Sequence, residues 1–199
     1  MSAGDAFDRL AAPIEASTLR LVTLTERHLG ALDHAFRSDP ELWEWTIDAE
    51  PRTQADTVAW LERAMHEHTM RTRSPFAIEL PDGTLAGTTS YFDIRSYDGA
   101  LEIGHTLVFK RHRRTQVNTA AKLALLTRAF ETGFERVAFQ TDARNARSRA
   151  AIERLGAAYE GTMRSSRRRH DGTLGDTVIY SIVASEWPQV RTRLQTSPA

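Results

Sequence analysis

The sequence predicts a single mixed α/β domain built on a mostly antiparallel sheet flanked by helices. Three observations carry this. Stretches of period two and period 3.6 alternate along the chain. Turn sequences at Pro81-Asp82-Gly83 and Asp171-Gly172 join successive strands into hairpins. The 199 residues, 41% of them hydrophobic, supply one core, and no Pro/Gly/Ser-rich linker divides them.

Residues 1–15 read as a loosely held arm because their apolar residues follow no clear period, so the domain is expected over 16–199. Residues 19–24 are β-branched and apolar enough for a strand, and Thr25 opens a helical segment to about Phe36. A second helix begins at Thr53, where Asp56 three positions on completes a capping box and Val58, Leu61 and Met65 follow at helical spacing. Strands are expected over 75–80, 84–94 and 101–109. The second half then reads helix (119–132), strand (136–141), helix (145–155) and two strands (158–168 and 174–183), with a last helix from about Ser185. Asn145 is a natural N-cap for the second of those helices, and Gly156 a natural end.

The stretch that points to chemistry is Leu101-Glu-Ile-Gly-His-Thr-Leu-Val-Phe109, followed by the basic loop Lys110-Arg-His-Arg-Arg-Thr-Gln-Val-Asn118 and a helix. A strand that feeds a cationic loop onto a helix N-terminus builds an anion site, because the first helical amides have no internal acceptor and the helix dipole favours negative charge. A pyrophosphate fits such a site, and Arg111, Arg113 and Arg114 add charge suited to phosphate geometry.

Leu-Glu-Ile-Gly before the loop, Arg-Arg-Thr-Gln-Val-Asn-Thr-Ala-Ala-Lys in it, and Thr141-Asp-Ala-Arg-Asn-Ala-Arg-Ser-Arg-Ala-Ala-Ile-Glu-Arg-Leu-Gly156 together resemble the GNAT acetyltransferases. Within that superfamily the resemblance is to the branch of the ribosomal-protein N-terminal acetyltransferases, the Rim type. It runs from about Thr18 to about Trp187. It implies acetyl-CoA as acetyl donor, a primary amine as acceptor (a protein N-terminus or a small molecule), and direct attack in a ternary complex, since the chain has no cysteine for a thiol acyl-enzyme. It places the cofactor along Leu107 and Val108, on the loop at Arg113, Arg114, Thr115, Gln116, Val117, Asn118 and Thr119, and beside the next helix start at Asn145 and Ser148. Arg113 takes the first motif position and Asn118 the last. Gln116 stands where the motif has glycine, a departure that puts a side chain near the phosphates.

The resemblance also marks Glu102 as the general base, in the strand before the loop, and the amides of residues 104–106 as an oxyanion site. Strict alternation sets Glu102, Gly104 and Thr106 on one face and Ile103, His105 and Leu107 on the other. His105, with an ordinary pKa near neutrality, is the second base candidate. The tyrosine that some relatives use as general acid has no counterpart in the helix 145–155. Trp43, Trp45, Trp60, Tyr91 and Phe92 are candidates for an acceptor pocket. The basic run Arg164-Ser-Ser-Arg-Arg-Arg-His170 is a candidate acceptor surface.

Balanced charge, 26 basic and 26 acidic residues, gives no global attraction to nucleic acid or membrane. The absence of cysteine excludes disulfides and thiolate metal sites, and no metal is expected. The chain shows no signal-peptide pattern and no apolar run of membrane length, which leads to the expectation of a cytoplasmic protein. A homodimer stays open. So does a non-catalytic module that keeps the fold and binds CoA or the ribosome.

Overall fold

The computed structural model describes residues 3–169 and 171–196. In chain order the elements are α1 (Ala3–Ala11), β1 (Ile14–Glu15), β2 (Arg20–Thr23), α2 (Leu29–Ser38), α3 (Gln54–Thr69), β3 (Arg73–Glu79), β4 (Leu85–Arg95) and β5 (Ala100–Val108). They continue with α4 (Val117–Glu131), β6 (Arg136–Asp142), α5 (Ala146–Leu155), β7 (Ala158–Arg168), β8 (Leu174–Val183) and α6 (Trp187–Thr196). The eight strands form one sheet in the order β1-β2-β3-β4-β5-β6-β8-β7. Among the described residues β5–β6 is its one parallel pair.

Local chemistry explains most boundaries. Thr53 Oγ1 accepts from the Asp56 amide while Asp56 Oδ2 accepts from the Thr53 amide, so the predicted capping box starts α3. Asn145 Oδ1 accepts from the Ser148 amide at 3.0 Å and starts α5, which ends at Gly156 with φ 92°. A side chain there would be strained, which is why glycine terminates this helix.

Residues 3–11 correct the expectation of a loose arm. They form α1, and its Ala6, Phe7 and Leu10 are buried. Leu10 and Ala6 join the main core with Ile14, Phe76, Tyr91, Leu101, Leu125 and Phe139. Burial of an i, i+4 pair holds the short helix, which alone is below the length that is stable in water. Arg128 of α4 ties its end by donating to the Arg9 and Ala12 carbonyls. Residues 1 and 2 of the expected arm lie outside the described residues.

Two apolar clusters lie on opposite faces of the sheet. The larger holds α1, α4, α5 and α6. The smaller packs Leu32, Phe36, Trp43, Trp60 and Leu61 of the α2–α3 region on Ala77 and Leu107. Trp43, Trp60 and Phe109 all meet the Phe36 ring edge-on, within 4.8 to 6.3 Å between centroids.

Candidate active site

The site is created by a divergence of two strands. β5 and β6 pair only through Ala100↔Arg136, Leu101↔Val137 and Glu102↔Ala138. Beyond Glu102 β5 stays paired with β4 and β6 with β8, so residues 104–108 turn an edge with no β6 partner toward a V-shaped opening. Parallel strands that separate in this way leave backbone donors and acceptors facing a cleft, where an extended ligand can take the place of the missing strand.

A bulge lies at the point of divergence. Thr88 pairs with Leu107 and Ser90 with Gly104, so three steps along β5 match two along β4. His105 is the extra residue, with φ 46°, in the left-handed region that side chains other than glycine seldom occupy. The bulge corrects the expected alternation. One inserted residue reverses the facing of everything after it. Thr106 therefore turns to the α4 face, where its Oγ1 lies 2.9 Å from Thr89 Oγ1 and 2.6 Å from Lys122 Nζ. His105 meets the ring of Phe92 at 4.9 Å between centroids. Gly104 lies under the same ring, and a Cβ there would sit 2.6 Å from Phe92 Cε1.

Glu102 sits at the apex of the opening. It is only 5% exposed, and its Oε2 accepts from Gln140 Nε2 at 2.8 Å across the gap. Burial raises its pKa to about 7, further raised by Asp93 and lowered in part by Arg167, the Gln140 hydrogen bond and Lys122. A carboxyl poised there exchanges protons at neutral pH. Burial lowers His105 to about 3, helped by Arg73, Arg167 and Arg63, so its imidazole is neutral across the working range and a weak base.

The raised Glu102 pKa has a stability consequence. The folded state favours the protonated carboxyl, so this group's contribution is intact below the ordinary carboxylate value and lost as pH rises through about 7. Glu102→Gln, which is neutral throughout, is expected to match the native protein in urea denaturation at about pH 4, below the ordinary carboxylate value. At about pH 9 it should be more stable, by up to ~3 kcal/mol for a shift of this size. Equal stability at both pH values would show that Glu102 is not strained by ionisation.

The loop residues divide into two groups. Ala120 is the first α4 amide to bond back, to the Gln116 carbonyl at 2.8 Å, and Val117's amide takes Thr115 Oγ1 at 3.3 Å. The amides of Asn118 and Thr119 thus precede helical bonding. Gln116 has φ −68° and an exposed side chain, so its backbone needs no glycine here. Arg114 is exposed with φ 60°. Arg113 departs from its expected role. Its guanidinium pairs with Asp39 at 2.5 Å and Glu41 at 3.0 Å, and its Nε donates to the Val108 carbonyl. It ties the loop to the α2–α3 connection, not to an open anion site. Leu107 is buried against the smaller core and Val108 continues the β5 edge. Asn145 and Ser148 are half-buried at the α5 start, where the cap uses Asn145 Oδ1 and leaves the side-chain Nδ2 to donate.

The aromatic candidates also separate. Tyr91 faces α4 and donates to the Leu125 carbonyl at 2.6 Å, so it belongs to the core. Trp43 and Trp60 are buried, and their edges line a recess of about 800 Å³ with Asp48 and Arg63. Phe92 covers the bulge, and Trp45 carries the Arg144 guanidinium 5.4 Å above its ring. In the basic run Arg164, Arg167 and Arg168 are exposed, while Arg169 pairs with Asp142 at 2.6 Å; His170 lies outside the described residues. Gln140 and Lys122, the second of them the last residue of the basic-loop stretch, also belong to this region, with no role that the sequence suggests.

Among the described residues no group of three or more His, Asp or Glu side chains could hold a metal ion, and no helix is long and apolar enough to cross a membrane.

Known proteins share this architecture. The Acetyltransferase (GNAT) domain family matches residues 18–158. The Bacillus subtilis (strain 168) protein named "Putative ribosomal N-acetyltransferase YdaF" is 31% identical over 155 residues, 76% of this chain and 82% of its own. A GCN5-related N-acetyltransferase from Brucella melitensis superposes with a TM-score of 0.87 at 26% identity, over 93% of this chain and 84% of its own. Mycobacterium smegmatis RimJ, solved with CoA-disulfide, shares the fold with a TM-score of 0.82 at 21% identity, over 94% of this chain and 95% of its own. With a domain match over most of its length and a diverging β5–β6 pair bulged at its mouth, the chain belongs to the GNAT family of acetyl-CoA-dependent acetyltransferases.

Proposed function

We propose that this protein transfers the acetyl group of acetyl-CoA to a primary amine by direct attack in a ternary complex, with Glu102 as the general base. The observation that carries the reading is the position of Glu102, a buried carboxyl with a neutral-range pKa at the apex of the β5–β6 opening.

The residues present fit the cofactor. The Asn118 and Thr119 amides and the exposed Arg114 suit a pyrophosphate. The edge of residues 104–108 offers backbone groups to the pantetheine arm, and Asn145 Nδ2 lies at the next strand-to-helix junction. Bound acetyl-CoA supplies an activated acetyl group. Glu102, directly or through one water, takes a proton from the amine nitrogen as nitrogen bonds to the acetyl carbon and the carbon–sulfur bond breaks. The bulge amides at residues 104–106 suit the negative charge that develops on the carbonyl oxygen. The acceptor class favoured by the likeness to YdaF is a protein N-terminal amine, ahead of a small-molecule amine.

Initial rates with acetyl-CoA against N-terminal peptides and small primary amines test this. Intersecting double-reciprocal lines are expected, whereas parallel lines would indicate a covalent acetyl-enzyme and contradict direct attack.

The charge of Arg167 on β7 acts to lower the pKa of both Glu102 and His105, which supports an acceptor-side role for the last hairpin. Reversing Arg167 and Arg168 to Glu is expected to raise the acceptor KM roughly tenfold, a loss of ~1.4 kcal/mol, with the acetyl-CoA KM nearly unchanged. A matched rise in both KM values would place the hairpin in the cofactor site instead.

A further inference from the structure

Lys122 is unusual for a residue on an otherwise apolar helix face. It is 6% exposed among Ala121, Ala124 and Leu125 of α4. Its ammonium lies beneath the sheet, 6.0 Å from the centroid of the Phe139 ring. A lysine buried there is costly unless its donors are used. Nζ donates to Thr106 Oγ1 at 2.6 Å and to Thr89 Oγ1 at 3.3 Å, and Thr106 Oγ1 also lies 3.3 Å from the Gly104 carbonyl. These contacts enclose the inserted residue. Thr106 follows His105 and Gly104 precedes it, so one hydroxyl, fixed from below by an ammonium, spans the bulge on the side away from the cleft.

We infer that Lys122 is a positioning residue for acetyl transfer: by holding Thr106 it fixes the left-handed backbone at His105, and with it the β5 amides that receive the thioester carbonyl. The inference rests on the acetyltransferase reading and extends it to a residue on the far side of the sheet. The helix that carries Lys122 also presents the Asn118 and Thr119 amides one turn earlier. At 1.5 Å of rise per residue, the phosphate end and the acyl end of the cofactor site are fixed by adjacent turns of one rigid element. A neutral side chain of similar length fills the space but removes the shortest contact on Thr106 Oγ1, leaving Thr89 Oγ1 and the Gly104 carbonyl to hold it and the bulge freer to relax.

The charge also reaches Glu102 from the opposite face. The groups around Glu102 are Arg167 on β7, Asp93 on β4, Gln140 on β6 and Lys122 on α4. Those around Lys122 are Thr89, Thr106 and Phe139, with Glu102 as the charged neighbour. Burial lowers the Lys122 pKa to about 7, with Glu102 acting to raise it, so the lysine is partly charged where Glu102 titrates. That partial charge favours the ionised carboxyl, so removing it moves the carboxyl pKa modestly upward.

The test uses Lys122→Met, Thr106→Val and the double variant beside the native protein. Lys122→Met is expected to lower kcat on the order of 10²-fold, the size of a small misplacement of reacting groups, with acetyl-CoA affinity by calorimetry little changed. The double variant should be no slower than the slower single variant, since both remove one interaction. The acid limb of kcat/KM should move to higher pH in Lys122→Met, which loss of packing alone would not cause. Amide hydrogen exchange at residues 104–106, read without substrate, should speed up in both single variants.

An active native protein with unaltered kcat, pH limb and exchange in Lys122→Met would overturn the inference, as would strictly additive losses in the double variant. If Lys122→Met does not fold, Thr106→Val decides alone: unchanged kcat and exchange there refute the positioning role. A native protein silent with every acceptor refutes the proposed function itself, and the exchange measurement then still reports on whether Lys122 holds the bulge.

Discussion

Glu102→Gln is expected to reduce kcat/KM by roughly 10²- to 10⁴-fold, the usual worth of a positioned general base, with acetyl-CoA affinity intact. The substitution keeps the side chain's shape and an oxygen that can accept from Gln140 Nε2, now 2.8 Å from Oε2, so the β5–β6 junction is preserved. What disappears is the proton acceptor. In the native protein kcat/KM should rise with pH through about 7, as the buried carboxyl ionises. In the variant that limb should vanish, and the remaining activity should climb only as free amine accumulates at higher pH. The loss is therefore largest near neutrality and shrinks in alkali. A variant as active as the native protein across the whole range would exclude Glu102 as base. His105 is a poor replacement, because burial and its arginine neighbours hold it neutral down to about 3. Uncatalysed selection of the neutral amine would then be the simpler account.

Asn118→Glu should separate cofactor binding from stability, because its two effects have opposite sign. Position 118 is in the first turn of α4. A carboxylate there complements the helix dipole, worth about 0.3–1 kcal/mol, so the melting temperature should hold or rise. The same carboxylate repels a pyrophosphate seated on those amides. Two charges ~5 Å apart at an effective dielectric constant of about 20 interact by ~3 kcal/mol, which corresponds to roughly 10²-fold weaker acetyl-CoA binding. Gln116→Gly serves as the companion: it removes an exposed side chain from the same loop and should preserve or tighten binding. Unchanged affinity in a folded Asn118→Glu protein would place the phosphates elsewhere.

Much of the frame is legible in the sequence because its signals are local. The Thr53–Asp56 capping box, the Asn145 cap and the Gly156 stop depend on neighbours within a few residues, and each sits where the sequence places it. Glu102 is legible for a similar reason, since the strand that carries it leads directly into the loop. The misses are non-local. Arg113 is drawn off by Asp39 and Glu41, more than seventy positions earlier in the chain. The left-handed residue of the bulge is His105 and not a glycine, so its position carries no signal for that backbone, and alternation assigned Thr106 to the wrong face. Once Thr106 is misplaced, nothing in the sequence links it to Lys122, sixteen positions on in the next helix. The α1 helix shows its signal only in the spacing of Ala6 and Leu10, too short to stand out before the core that receives it is known.

The most direct test of the central claim measures both products of one reaction. The protein is incubated with acetyl-CoA and a panel of N-terminal peptides and small primary amines. Free CoA is measured by thiol titration, and the acceptors are weighed by mass spectrometry. Direct transfer predicts at least one acceptor that gains a single acetyl group, in one-to-one proportion to CoA released and without an acetylated enzyme. Acetyl-CoA that binds yet yields neither product above the enzyme-free rate, with every acceptor, would contradict it and leave a CoA-binding module without catalysis.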